Sequence, residues 1–265
     1  MRVAILIPAR YASSRYPGKP LAELRGATGE AKSLIRRSWD AAQGIEGAEA
    51  WVATDDDRIA DAVHAFGGRV LMTSPDCANG TERCAEAINA LPSEPEIVVN
   101  LQGDAPLTPA WFLDSLIAAM DARPGVDVAT PVLRCDAHAL QGFLDDRSAG
   151  RVGATTAVFA QDMRALYFSK EVIPYTDGKL SHEGVCPVFH HVGVYAYRPG
   201  PLRAYPGLPV GPLEMLEGLE QLRFLENGHS VLCVEVESRG AKFWELNNPE
   251  DVPRIEAVLA EQGLP

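Results

Sequence analysis

Three cations crowd one short stretch near the start of the chain. Arg10, Arg15 and Lys19 lie within Ile7-Pro8-Ala9-Arg10-Tyr11-Ala12-Ser13-Ser14-Arg15-Tyr16-Pro17-Gly18-Lys19-Pro20-Leu21. Unpaired charges are too costly to bury together, so such a loop either stays solvated or holds an anion of several charges. A triphosphate fits. Backbone N–H groups of a Gly/Ser loop cradle phosphate oxygens, and Arg and Lys neutralise the remainder. The loop follows the apolar run 3–7, which reads as a buried parallel strand. Open α/β sheets gather ligands at that carboxyl end, which favours an anion site over a plain basic surface.

A second stretch, Val98-Val99-Asn100-Leu101-Gln102-Gly103-Asp104-Ala105-Pro106, reads as a buried strand that delivers Gln102 and Asp104 either side of a glycine. Gly103 permits close backbone approach. A triphosphate needs Mg²⁺, held by one or two carboxylates, and Asp104 suits that work; capping the next helix suits Thr108 better. Asn79-Gly80-Thr81-Glu82-Arg83 is a turn opening a helix, with Asn79 or Thr81 as cap and Glu82 in the first turn.

The elements that must position these residues alternate. Strands are expected at 3–8, 50–53, 69–72 and 97–101, and helices at 33–43, 57–66, 81–90 and 109–122. This βαβα order predicts an α/β fold with a doubly wound, mostly parallel sheet, whose polar strand ends line one cleft. From 126 to 197 the pattern loosens, with strands at 126–133, 154–159, 165–167 and 192–197 lacking regular crossover helices. A smaller, partly antiparallel subdomain is expected there, inserted into a nucleotide-binding core of 1–125 and 198–265. The segments 136–151 and 175–187 read as loop or irregular helix, and 211–227 as one amphipathic helix. A final strand at 230–236 precedes a terminal helix opened by Asn247, Asn248 and Pro249.

The net charge of −12 argues against nucleic acid or an anionic membrane as partner. Five cysteines without C-x-x-C spacing fit reduced thiols and a cytoplasmic setting. The opening apolar run is too short for a signal peptide, and no stretch reaches the roughly 18 apolar residues of a membrane span. The loop also lacks the G-x-G-x-x-G fingerprint, which argues against a dinucleotide oxidoreductase.

The loop resembles the signature of the 3-deoxy-manno-octulosonate (KDO) cytidylyltransferases, the CMP-KDO synthetases, in which I-P-A-R is followed by a Y-x-S, R-x-P-G-K-P-L segment. Further motifs follow in the family's order from Ile5 to Val252. The resemblance implies a Rossmann-like nucleotide-diphospho-sugar transferase fold, a homodimer, and transfer of CMP from CTP to a 2-keto-sugar acid with release of pyrophosphate. It implies a nucleotide site of Pro8, Ala9, Arg10, Ser13, Ser14, Arg15, Lys19, Thr54, Asp55, Asn79, Gly80, Arg83 and Gln102. Arg10, Arg15, Lys19 and Asp104 would carry the chemistry. The matching acceptor residues are Gln102, Tyr167, Lys170, His191, Tyr195, Glu220 and Gln221, and Asp104 and Asn247 fall on the Mg²⁺ positions.

The departures cluster on the acceptor and metal side. Ala105 replaces a glutamate, Lys170 an arginine, and Asn247 the second metal aspartate; 153–156 lacks a lysine, and 27–33 is lengthened. Asn247 brings an amide oxygen but no charge, so the metal site is either weaker or recruits another carboxylate such as Glu245. The CTP loop is intact. A different acid acceptor (a KDO variant or a phosphonate) and a catalytically weak nucleotide-binding homologue are the alternatives.

Overall fold

All seven residues of Val3–Ala9 are buried and form β1. The computed structural model describes residues 1–13, 15–152, 154–176, 185–242 and 245–265. A basic loop leads from β1 to a small antiparallel hairpin, β2 (Glu23–Arg25) and β3 (Ala31–Ser33). The lengthened 27–33 segment therefore builds a separate two-stranded sheet. Helix α1 (Leu34–Gln43) follows, capped by Ser33, then β4 (Ala48–Thr54). Next come α2 (Asp57–Ala65), capped by Asp56, and β5 (Val70–Met72). After these stand α3 (Gly80–Ala87), β6 (Ile97–Leu101) and α4 (Ala110–Ala122). Strands β5, β4, β1 and β6 lie side by side in parallel.

Both faces of this sheet are covered, as a parallel sheet requires. Ile5 and Ile7 of β1 pack on one face with Val99, Trp39 and Phe112, while Leu6 faces the other with Val98 and Cys84. The period-2 alternation of a strand sets this division.

In the second half come β7 (Val128–Arg134), α5 (Ala137–Ser148), β8 (Thr156–Phe159) and β9 (Ala165–Ser169). Strands β10 (Phe189–His191) and β11 (Val194–Tyr197) and helix α6 (Pro199–Ala204) follow. These strands extend the same sheet: β11 joins β6 in antiparallel fashion, then β7, β10, β8 and β9 continue outward. The last strand, β12 (Val231–Glu235), runs parallel to β7, and α9 (Val252–Glu261) packs near β2.

Two expectations change. Residues 211–227 form two short helices, α7 (Pro212–Glu217) and α8 (Gln221–Glu226), because Gly218 adopts a left-handed backbone (φ 62°) and stops the first. Residues 136–151 contain a regular helix, α5, whose cap Asp136 accepts from the Ala139 N–H at 2.7 Å. Part of the expected loop at 175–187 lies outside the described residues.

Candidate active site

The basic loop and the β6 end meet at the carboxyl edge of the sheet. A Cβ on Gly103 would lie 2.7 Å from the Pro8 carbonyl oxygen, so glycine is what lets the ends of β1 and β6 close up. Gly18 takes a left-handed turn (φ 71°) and its N–H closes the loop onto the Tyr11 carbonyl at 3.0 Å. That turn aims Lys19 back at the strands, where Nζ lies 2.7 Å from Asp104 Oδ2. Ser13 Oγ steadies the loop by accepting from the Tyr16 N–H at 3.3 Å. Arg10 and Arg15 are exposed, and Ser14 lies outside the described residues. Pro8 and Ala9 are the last residues of β1.

The segment before α9 closes this corner. The Leu246 N–H donates to the Asp104 carbonyl at 2.9 Å, and Arg15 Nη2 donates to Asn247 Oδ1 at 3.0 Å. The helix start is capped by Asn248, in a reciprocal capping box with Asp251. Asn247 is thus free of capping duty at its side chain and faces the cleft. Asn247 also hydrogen-bonds to Glu245. Glu245 is exposed as a residue but its carboxyl turns inward toward Gly193; burial of that carboxyl and then the Asp104 carboxylate push it up, against the pull of Asn247, Lys19 and Arg15.

On the other side of the loop, Thr54 is fully buried and its Oγ1 accepts from the Asp56 N–H at 3.3 Å. Arg83, only 3% exposed, reaches Thr73 Oγ1, Ser74 O at 3.4 Å and Asp55 Oδ2 at 3.4 Å. Its guanidinium is engaged by the cleft wall, so it fixes Asp55 and Thr73. Asn79 Oδ1 caps α3 by accepting from the Glu82 N–H at 2.9 Å, and its Nδ2 donates to Tyr205 Oη at 3.2 Å. A Cβ on Gly80 would lie 3.1 Å from Gln102 Oε1, so Gln102 lies across that glycine.

Gln102 starts a polar chain toward α8. Its Nε2 donates to Glu220 Oε1 at 3.3 Å, and the other Glu220 oxygen accepts from the Thr81 N–H at 3.1 Å. Burial pushes the Glu220 carboxyl up, against the pull of these bonds. Tyr195 Oη donates to Gln221 Oε1 at 3.1 Å, whereas the buried Gln221 Nε2 has no partner among the described residues. His191 packs against Tyr195 and Phe168, with Nε2 2.9 Å from Thr130 Oγ1. Burial drives His191 down to about 3 and His190 to about 4, so both are neutral at pH 7.

Tyr167 and Lys170 form a neighbouring group held by a residue the sequence reading passed over. The Glu217 carboxylate accepts from Tyr167 Oη at 3.2 Å, Ser169 Oγ at 2.6 Å and the Lys170 N–H at 2.8 Å. Lys170 Nζ lies over Gly218, 3.1 Å from where a Cβ would stand. The signal was present as acids at 214, 217 and 220, a three-residue spacing that turns them toward one side of a helix. Glu214 forms a buried bidentate pair with Arg223, at 2.8 Å in both bonds, and Arg223 also reaches Glu82 at 3.0 Å.

Comparisons with known proteins give the family of the chain. The model of the cytidylyltransferase family matches residues 4–231. A 3-deoxy-manno-octulosonate cytidylyltransferase of Maricaulis maris is 42% identical, covering 99% of both chains. An 8-amino-3,8-dideoxy-manno-octulosonate cytidylyltransferase of Shewanella frigidimarina is 41% identical, over 98% of this chain and 99% of the relative. A solved CMP:2-keto-3-deoxy-manno-octonic acid synthetase complexed with CTP superimposes with a TM-score of 0.84. It is 34% identical and covers 99% of this chain and 100% of its own. Among the described residues, no helix is long and apolar enough to cross a membrane. The chain belongs to the cytidylyltransferase family, in the group of KDO cytidylyltransferases, and is a CTP-dependent nucleotidyltransferase.

Proposed function

We propose that the protein transfers CMP from CTP to the anomeric hydroxyl of a 2-keto-sugar acid of the 3-deoxy-manno-octulosonate type, releasing pyrophosphate. The observation that carries this reading is the convergence of Lys19, Arg15, Asp104 and Asn247 at one strand edge, in a chain 42% identical to a KDO cytidylyltransferase. Arg10, Arg15 and Lys19 bind the triphosphate and neutralise the charge that grows on the departing pyrophosphate. The acceptor oxygen forms a bond to the α-phosphorus. The bond to the β-phosphate oxygen breaks, its electron pair leaves with pyrophosphate, and the hydroxyl proton passes to solvent. Positioning and electrostatics supply most of the acceleration, as in phosphoryl transfer generally.

Cytidylyltransferases generally use a divalent metal, and we assign Mg²⁺. The donor set fits a hard cation: an acid, Asp104, and an amide oxygen, Asn247, come from segments joined by the Leu246–Asp104 backbone bond. Bound there, the ion would add positive charge beside the phosphates. Gln102, Glu220, Gln221, His191 and Tyr195 are the acceptor wall, with Gln221 Nε2 an unspent donor for a sugar oxygen. Tyr167 and Lys170 flank it, Lys170 offering a cation to the acid group. Thr54, Asp55, Asn79 and Gly80 shape the cytidine side.

An aminated acceptor is the second reading, because the relative from Shewanella frigidimarina, named for the 8-amino sugar, is nearly as similar, at 41% identity, as the one named for KDO at 42%. Residues 126–197 serve as the acceptor-binding and dimerisation part. Support comes from β9, which ends the sheet path, and from Leu166 on it, which is exposed. Five free cysteines, four of them buried, fit a cytoplasmic setting. Pyrophosphate release from CTP with KDO and with its 8-amino analogue tests the acceptor: a preference for neither over unrelated sugar acids rejects this reading.

A further inference from the structure

We infer that Glu245 supplies the second carboxylate to the divalent cation beside Asp104, where Asn247 brings only a neutral amide. This deepens the CTP–metal reading above and rests on it. Three observations place Glu245 there. First, the Leu246 N–H binds the Asp104 carbonyl at 2.9 Å, which ties the segment carrying Glu245 to the turn after β6. Second, the Glu245 carboxyl reaches inward across the start of β11, where Oε1 would stand 3.6 Å from a Cβ on Gly193. Third, its carboxylate is hydrogen-bonded by the Asn247 side chain, which Arg15 ties to the same corner.

Asn247 is differently engaged. Its amide oxygen takes a hydrogen bond from Arg15, and the side chain also bonds Glu245. It is a neutral bridge between a loop cation and an acid. A neutral amide ligates Mg²⁺ without adding charge, whereas two carboxylates together offset the full charge of a divalent ion. Lys19 now lies 2.7 Å from Asp104 and Arg15 3.0 Å from the Asn247 amide oxygen, and the triphosphate offers both cations better partners. The move of Lys19 to the phosphates frees Asp104 to join Glu245 at the metal. The chain thereby keeps two acids at the metal although the usual aspartate position holds asparagine.

The test reads CTP binding without turnover. CTP is titrated by calorimetry into the protein at a series of Mg²⁺ concentrations, with no acceptor present. Wild type should show CTP affinity that rises with Mg²⁺. Glu245→Gln should require at least about tenfold more Mg²⁺ for half of that rise, and Glu245→Ala should do the same. Asn247→Asp placed in the Glu245→Gln background should recover most of the loss, since it restores a second carboxylate. Glu245 lies at an exposed position, so melting temperatures of the variants should match wild type. A wild-type Mg²⁺ requirement in Glu245→Gln and Glu245→Ala overturns the inference alone. A wild type that binds no CTP at any Mg²⁺ concentration overturns the functional reading and the inference together.

Discussion

Lys19 Nζ lies 2.7 Å from Asp104 Oδ2, across 85 residues of chain. One residue comes from the loop after β1 and the other from the loop after β6, neighbouring parallel strands. The pair joins the cation set expected to hold phosphates to the acid expected to hold metal. Lys19→Ala and Arg15→Ala should each lower kcat/KM by about 100-fold or more, because a charge aimed at the transition state is worth several kcal/mol. The melting temperature of Arg15→Ala should barely move, since an exposed change of this kind costs under about 0.5 kcal/mol; Lys19→Ala also removes the partly buried pair with Asp104 and should cost somewhat more. Steady-state kinetics with wild-type values would reduce the loop to a solvated surface.

The Glu214–Arg223 pair is a structural element. Both residues are buried, at 8% and 5% exposure. Glu214→Ala leaves the buried guanidinium only Glu82 as an acid partner beside the Tyr205 ring, and should cost about 3–5 kcal/mol of stability. Glu261→Ala, which breaks the exposed pair with Lys242, should cost under about 1 kcal/mol. Equal urea midpoints for the two variants would contradict the burial argument.

His191 sets an acid limit on stability. Its ordinary value of 6.5 is driven down to about 3 by burial and by His190 beside it. Between those values the unfolded chain binds a proton that the native chain does not. The stabilisation is therefore complete above pH 6.5 and is lost as the pH falls toward 3. Glu220 and Glu245 are shifted up and act with opposite sign, so the difference between variants is the readout. His191→Gln should flatten the stability-against-pH slope between pH 4 and 6.5 by about 1.4 kcal/mol per pH unit. Parallel slopes for variant and wild type, by urea denaturation, would show that His191 is not held neutral.

A homodimer should form through residues 126–197. Light scattering at micromolar concentration should give twice the 28.6 kDa chain mass, and Leu166→Glu should shift it toward the monomer. A monomeric wild type would refute the dimer.

Local patterns carried most of the fold. Strand β1 was legible because an unbroken apolar run ends in an irregular, charge-dense loop, and β6 because it repeats that form before Gln102 and Asp104. Helix α5 was not, since only Leu140 of its residues is buried and no apolar stripe marks it. The break at Gly218 was hidden by the leucines on both sides, which keep helical spacing across a residue whose left-handed backbone ends the helix. At the site, Asn247 and Asn248 are both good caps on paper; only the Asn248–Asp251 box shows which one caps. Arg83 read as a ligand contact, but its partners Asp55 and Thr73 come from other elements that spacing does not reveal. Glu217 was missed for the same reason: its partners lie on and just beyond β9, 47 to 50 residues away.

The most direct measurement is pyrophosphate release by the purified protein with Mg²⁺, comparing CTP, ATP and GTP against KDO, its 8-amino analogue and unrelated sugar acids. Release should occur with CTP and one of the two octulosonates, should fall away with the purine nucleotides, and should stop in excess chelator. Equal release from all three nucleotides, or none with either octulosonate, would contradict a CTP-dependent transfer to this class of acceptor.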